Sequence, residues 1–180
     1  MATTTGALTV QELRQLQDPT DGTYHELHYG ELVRVTIPKL RHQIRQNRIA
    51  DVLKPLVGGR GVVMLEFGFR ALPEHEARRA DVAFISMPRY QAALDADEFF
   101  GAPDVVIEVL SPSKTASEMD DKEKLCFANG CREFWQLDED RHVVRVTRAD
   151  APVRWYGAGD MIEAGVLGVS VSVDELFSAL

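Results

Sequence analysis

The run Val105-Val106-Ile107-Glu108-Val109-Leu110 constrains this chain more than any other feature, because it is apolar throughout except for one carboxylate. Its β-branched residues favour an extended backbone. A run without polar alternation marks a strand covered on both faces, so the chain must build a sheet with layers above and below it. An ionised carboxylate inside such a strand is costly unless a cation or several donors compensate it. The two-residue strand period puts Glu108 on one face with Val106 and Leu110. The plain alternative is an acid at the open end of the strand, solvated or paired with an arginine.

A second apolar strand, Asp81-Val82-Ala83-Phe84-Ile85, opens with an acid. Alone, an acid there often does no more than cap a turn. Beside Glu108 on a neighbouring strand it makes a pair of carboxylates, the hard oxygen ligands that Mg²⁺ prefers. Downstream, Ala116 to Asn129 reads as a helix closed by Gly130. On it, Met119, Lys122, Leu125 and Cys126 share a face, which aims Lys122 at the sheet. A lysine held near acids can orient water or stabilise developing charge; the alternative is an apolar stem with its ammonium in solvent. Lys124, off that face and one turn from Asp120 and Asp121, is a solvated pair.

The remaining elements fit around this centre. Thr9 to Gln17 predicts a helix with Thr9 as cap and Glu12 three residues later, stopped by Asp18, Pro19 and Asp21-Gly22. Tyr24 to Leu27 and Glu31 to Ile37 predict a hairpin turned at Tyr29-Gly30. A long helix runs from Pro38 to about Leu56, with Ile49, Leu53 and Leu56 on one face and Gly58, Gly59 and Gly61 at its end. Val62 to Leu72 is one strand or a pair, and Ser86 to Asp97 a short helical excursion. Glu133 to Leu137 and Val143 to Thr147 form a second hairpin, Val153 to Tyr156 adds an edge strand, and Ser172 to Leu180 is a terminal helix. The order predicts an α/β (α+β) fold, a mixed β-sheet flanked by helices with an N-terminal β-hairpin, in one domain over residues 1–180.

Charge and targeting signals narrow the function. With 28 acids against 20 bases the net charge is −8, which argues against non-specific coating of nucleic acid but not against acids gathered at a metal. No apolar run reaches membrane-spanning length, and Met1 to Val10 lacks the basic start and apolar core of a signal peptide. Cys126 and Cys131 form neither a CxxC nor a zinc pattern and indicate packed thiols in a reducing cytoplasm.

Ala80-Asp81 followed by Ile107-Glu108-Val109 resembles the Asp…Glu-x-Lys core of the PD-(D/E)XK nuclease superfamily. A longer series is more specific: Tyr24-His25-Glu26-Leu27-His28-Tyr29-Gly30-Glu31-Leu32-Val33, then His42, then Ala102-Pro103-Asp104 running through Glu108 to Ser111-Pro112-Ser113, then Lys122, Gly130-Cys131-Arg132-Glu133-Phe134-Trp135 and Asp138. From Thr9 to the C-terminus this is similar to the bacterial putative restriction endonuclease-like family, a branch of that superfamily. The resemblance implies a restriction-endonuclease-like core and an endonuclease hydrolysing phosphodiester bonds in DNA. It implies Mg²⁺ (or Mn²⁺) held by Asp81 and Glu108. There are departures. Ala80 stands where the superfamily usually has Pro, and Leu110 where it has the motif Lys. Lys122 on the following helix takes that role, and Glu118 stands where the family usually has Asp.

The catalytic candidates are therefore Asp81, Glu108 and Lys122. Glu31, matching the hairpin motif, and His42 are additional candidates, against plain readings as a surface acid and a core-edge histidine. Glu66, between apolar neighbours, is a candidate third acid on charge alone. Arg41, Arg45, Arg48, Arg70, Arg78 and Arg79 either touch phosphates or are ordinary solvated charge. No helix-turn-helix, zinc finger or aromatic stacking motif marks a sequence-reading element, which suggests work as a homodimer or with a partner. Ser111-Pro112-Ser113-Lys114 fits S-x-x-K, but S-D-N and K-T-G are missing, so it reads as chance. The alternative function is a catalytically weak or inactive nuclease-fold binding or accessory module.

Overall fold

The computed structural model describes residues 6–17, 19–111 and 114–178. Its main sheet has six strands in spatial order β3-β4-β5-β6-β7-β8: β3 (Gly61–Phe69), β4 (Arg78–Ser86), β5 (Val105–Val109), β6 (Glu133–Asp138), β7 (Val143–Arg148) and β8 (Ala151–Tyr156). Neighbours run antiparallel except β5 and β6, which are parallel. A parallel pair needs a crossover, and α4 (Ala116–Ala128) supplies it. Every residue of β5 is buried, as an apolar run without alternation requires. The mixed sheet flanked by helices matches the sequence expectation.

Two apolar layers cover the sheet. On one side α2 (Leu40–Val57) sets Ile49, Leu53 and Val57 with Val82, Phe84, Ile107 and Trp135. On the other, Met119, Leu125 and Cys126 of α4 pack with Ala83, Val106 and Phe134. The strands nearest the acids change sides between these layers. Val63 and Leu65 belong to the α2 layer, whereas Phe67 and Phe69 lie in the α4 layer. Likewise Val82 belongs to the first and Ala80 to the second. Regular strand alternation keeps every second residue on one face, so the pleat inverts at Glu66 and Asp81. Glu66 carries a φ of 47°, a left-handed backbone rare in a non-glycine residue within a strand.

The hairpin is β1 (Thr23–His28) and β2 (Glu31–Thr36), joined by Tyr29 and Gly30. Their φ values of 50° and 82° are those of the two-residue turn that matches strand twist. A bridge between Leu27 and Ala77 docks β1 beside the start of β4. Three expectations need correction. The first helix, α1, is only Val10–Leu13, although the Thr9–Glu12 capping box is present; Leu16 beyond it is exposed, so its burial does not support a further turn, and Asp18 lies outside the described residues. A short hairpin, β9 (Met161–Ala164) with β10 (Val169–Ser172), stands where the sequence shows no clear strand pattern. Its Ile162, Ala164 and Val171 extend the α2 layer. The terminal helix, α5, covers Val173–Phe177, and residues 179–180 are outside the described ones. The helical excursion after β4 is α3 (Met87–Ala96). Among the described residues no helix is long and apolar enough to cross a membrane.

Candidate active site

The register of the sheet assembles the acids. Val82 pairs with Ile107, so the next position along sets Asp81 opposite Glu108. Leu65 pairs with Val82 and Phe67 with Ala80, which places Glu66 opposite Asp81. On the far side Glu108 pairs with Gln136, and Gln136 with Arg145. A polar row therefore crosses the otherwise apolar middle of the sheet, and Glu123 of α4 accepts from Gln136 Nε2 at 3.0 Å and also from Arg145.

Every oxygen of the two central carboxylates has a donor. Glu108, 0% exposed, accepts at Oε1 from Lys122 Nζ at 2.7 Å and from the Asp81 N–H at 3.3 Å. Its Oε2 accepts from Lys114 Nζ at 2.6 Å. Asp81 Oδ2 accepts from the Val109 N–H at 2.7 Å and lies 3.2 Å from His42 Nε2 and 3.5 Å from Lys114 Nζ. Gln46 Nε2 donates to Asp81 Oδ1 at 3.2 Å and also to Glu66 Oε1. Lys122 Nζ donates as well to the Arg79 carbonyl. The cost of burying a carboxylate in β5 is thus met by ammonium groups, as the strand itself demands.

These contacts set the proton affinities. Burial pushes the Asp81 carboxyl up, but the His42 hydrogen bond and the Lys114 and Lys122 charges more than offset it, holding the group well below the usual carboxylate range. Burial works against the Lys114 ammonium, yet Glu108 and Asp81 keep it protonated to higher pH than a free lysine. The His42 imidazole is likewise raised, its burial outweighed by Asp81. Glu66 goes the other way: burial raises its carboxyl and the charge of Asp81 adds to that, only partly countered by Gln46.

The structure brings together Asp81, Glu108, Lys122 and His42 of the residues read from the sequence, and Glu66 with them. Glu31 is exposed at the start of β2, opposite His28. The hairpin sends Glu26 instead, which is buried and accepts from Tyr24 Oη at 3.3 Å, His28 Nε2 at 2.8 Å and the Arg79 N–H at 2.9 Å. Tyr24, Glu26 and His28 alternate along β1, so a single strand period is the signal that points to them. Gln46, one helical turn beyond His42, is visible in the same way on α2. Lys114 belongs to the site despite its chance S-x-x-K context; Pro112 and Ser113 of that motif lie outside the described residues. The signal for Lys114 is its position in the loop leaving β5, because such loops gather at the end of the sheet.

The arginines are mostly engaged within the fold. Arg45 bonds Glu139 at 2.6 Å and the Leu176 carbonyl at 2.6 Å, Arg48 the Glu175 carbonyl at 2.8 Å, and Arg70 Glu98 at 2.7 Å. Arg78, nearly fully buried, is shared by Glu76 and Asp121. Arg79 and Arg41 are the exposed members, Arg79 with its guanidinium 4.2 Å from the Tyr24 ring centre. Glu118 acts locally, closing a reciprocal capping box with Thr115 at the start of α4.

A divalent ion that prefers oxygen fits this donor set. Asp81 and Glu108 present carboxylate oxygens from adjacent strands, and the Lys114 ammonium already lies between Asp81 Oδ2 and Glu108 Oε2. That marks the gap as a place where positive charge is favoured. Among the described residues no three of His, Cys, Asp and Glu close round a single point, and Mg²⁺ commonly takes one or two carboxylates and keeps its waters.

Known proteins share both the sequence pattern and the fold. The family described as "Uma2: Putative restriction endonuclease" matches residues 10–174. The crystal structure of a protein described as a putative nuclease belonging to DUF820, from Anabaena variabilis, shares the fold with a TM-score of 0.80, at 20% identity over 94% of this chain and 97% of that one. Among curated proteins nothing matches.

Proposed function

Because this chain belongs to the Uma2 family of putative restriction endonucleases, we propose that it is a nuclease that hydrolyses phosphodiester bonds in DNA, with Mg²⁺ or Mn²⁺ held by Asp81 and Glu108. The observation that carries this reading is the facing of two buried carboxylates across β4 and β5, with cationic side chains converging on them. When bound, a divalent ion there lowers the pKa of a water and offsets charge on the phosphate. The protein does the positioning. Asp81 is fixed by the Val109 N–H and by Gln46 and His42, so its carboxylate needs little ordering on binding. His42 acts through Asp81 and is a positioning residue. Lys122, anchored between Glu108 Oε1 and the Arg79 carbonyl, orients the attacking water or stabilises the scissile phosphate. Glu66 keeps its proton to higher pH than a solvated glutamate and stands beside Asp81 as a third carboxyl.

A second reading has its own support. Lys114 and Lys122 together neutralise Asp81 and Glu108 without any bound ion, as a binding or accessory module with little catalysis would require. Cleavage decides between the two. Purified protein with Mg²⁺ or Mn²⁺ should nick supercoiled plasmid or cut single-stranded DNA, and Asp81→Asn, Glu108→Gln and Lys122→Met should each lower the rate at least about a hundredfold. Cleavage unchanged in all three variants would place the activity elsewhere. Metal binding without cleavage of either DNA would turn the assignment toward the accessory module.

A further inference from the structure

The two lysines do different things. Lys122 touches Glu108 at Oε1 alone, and its other bond is to a carbonyl. Lys114 sits at Oε2 of Glu108 and near Oδ2 of Asp81, one oxygen from each carboxylate. A divalent ion held by both Asp81 and Glu108 would compete with that ammonium for the same carboxylate oxygens. The Lys114 side chain is 26% exposed against 9% for Lys122, and it enters from the loop after β5 rather than from the packed face of α4. Its flexible four-carbon stem can carry the ammonium out to solvent without moving backbone.

We propose that Lys114 is an internal counter-cation that occupies the gap between Asp81 and Glu108 and must leave it for a divalent ion to bind, so that metal binding is an exchange of one cation for another. The inference rests on the metal-dependent reading above. A monovalent ammonium and a divalent ion cannot share a gap lined by two carboxylates without strong repulsion. Metal affinity therefore carries the free energy of expelling Lys114. In exchange the apo protein keeps two facing carboxylates compensated and folded, which isolated like charges would oppose. Once expelled, the ammonium stays tethered beside the site, within reach of a phosphate bound there.

The test is a calorimetric titration of Mn²⁺ alone into the full chain, as wild type, Lys114→Met, Lys114→Arg, Lys122→Met and Asp81→Asn. Lys114→Met should bind Mn²⁺ about tenfold or more tightly than wild type, since the competitor is gone. Lys114→Arg keeps the charge and should stay at or below the wild-type affinity. Lys122→Met should change affinity less than Lys114→Met, and Asp81→Asn should lose binding. Thermal unfolding without metal supplies a second readout: Lys114→Met should melt lower than wild type and regain the loss on adding Mn²⁺. Equal Mn²⁺ affinity in wild type and Lys114→Met would overturn the exchange and leave the metal reading standing. Absence of Mn²⁺ binding in every protein, with no thermal stabilisation, would overturn both.

Discussion

At the scale of single residues, Glu108 organises most of the site. Its burial in β5 is legible in the sequence because one carboxylate in an apolar run has to recruit cations, and Lys122 is legible because helical spacing aims it inward. Lys114 and Glu26 are less so, for a physical reason: loop position and a two-residue strand period point to them, but a loop lysine and a strand glutamate in a polar stretch have no apolar period to fix which way they face. Only the tertiary fold brings them to the acid cluster. The compensation has a measurable consequence. Glu108→Ala strips Lys122 of its carboxylate and leaves Lys114 only the 3.5 Å contact with Asp81, and uncompensated buried charge costs about 3–5 kcal/mol. Chemical denaturation should show a loss of that order for Glu108→Ala. Adding Lys122→Met should recover part of it, because one orphan charge is removed. Simple additivity of the two losses would mean that the pair does not interact in the folded protein.

Among elements, α4 does the most for the site, since it crosses between the two parallel strands and carries Lys122. Its start is fixed by the Thr115 side chain accepting from the Glu118 N–H and by Glu118 accepting from the Thr115 N–H and hydroxyl. The cap explains Glu118 by itself. Thr115→Ala should destabilise the protein by about 1 kcal/mol, as loss of an N-cap does, which equilibrium urea unfolding can measure. A change within a few tenths would mean that tertiary packing alone holds the helix start. The strands and long helices of the centre are readable from apolar runs and periodicity. The short elements at the ends are not. Four residues of α1 and the β9–β10 hairpin depend on docking to the rest, and no local pattern carries that information.

For the molecule as a whole, acid should be the sensitive condition. Asp81 and Glu26 are both held below the ordinary carboxyl range. At Glu26 burial opposes this and the His28 hydrogen bond and Lys122 charge outweigh it. A depressed folded pKa adds stability that is full above the unfolded value of about 4 and drains away as pH falls through the folded value. The raised His42 contributes in the opposite sense, below about 6.5, and its share is lost as pH climbs through the folded value. Melting temperature should therefore fall steeply on acidifying below about pH 4, and less steeply in Asp81→Asn. A flat profile through that range would show that the acid cluster adds no net stability. The inverted pleat at Glu66 and Asp81 has a further, mechanical meaning. His42 and Gln46 grip Asp81 from the α2 layer, while Lys122 grips Glu108 from the α4 layer. The site is thus a rivet through two plates, and a shift of either plate against the other is read directly as a change in the gap between the two carboxylates.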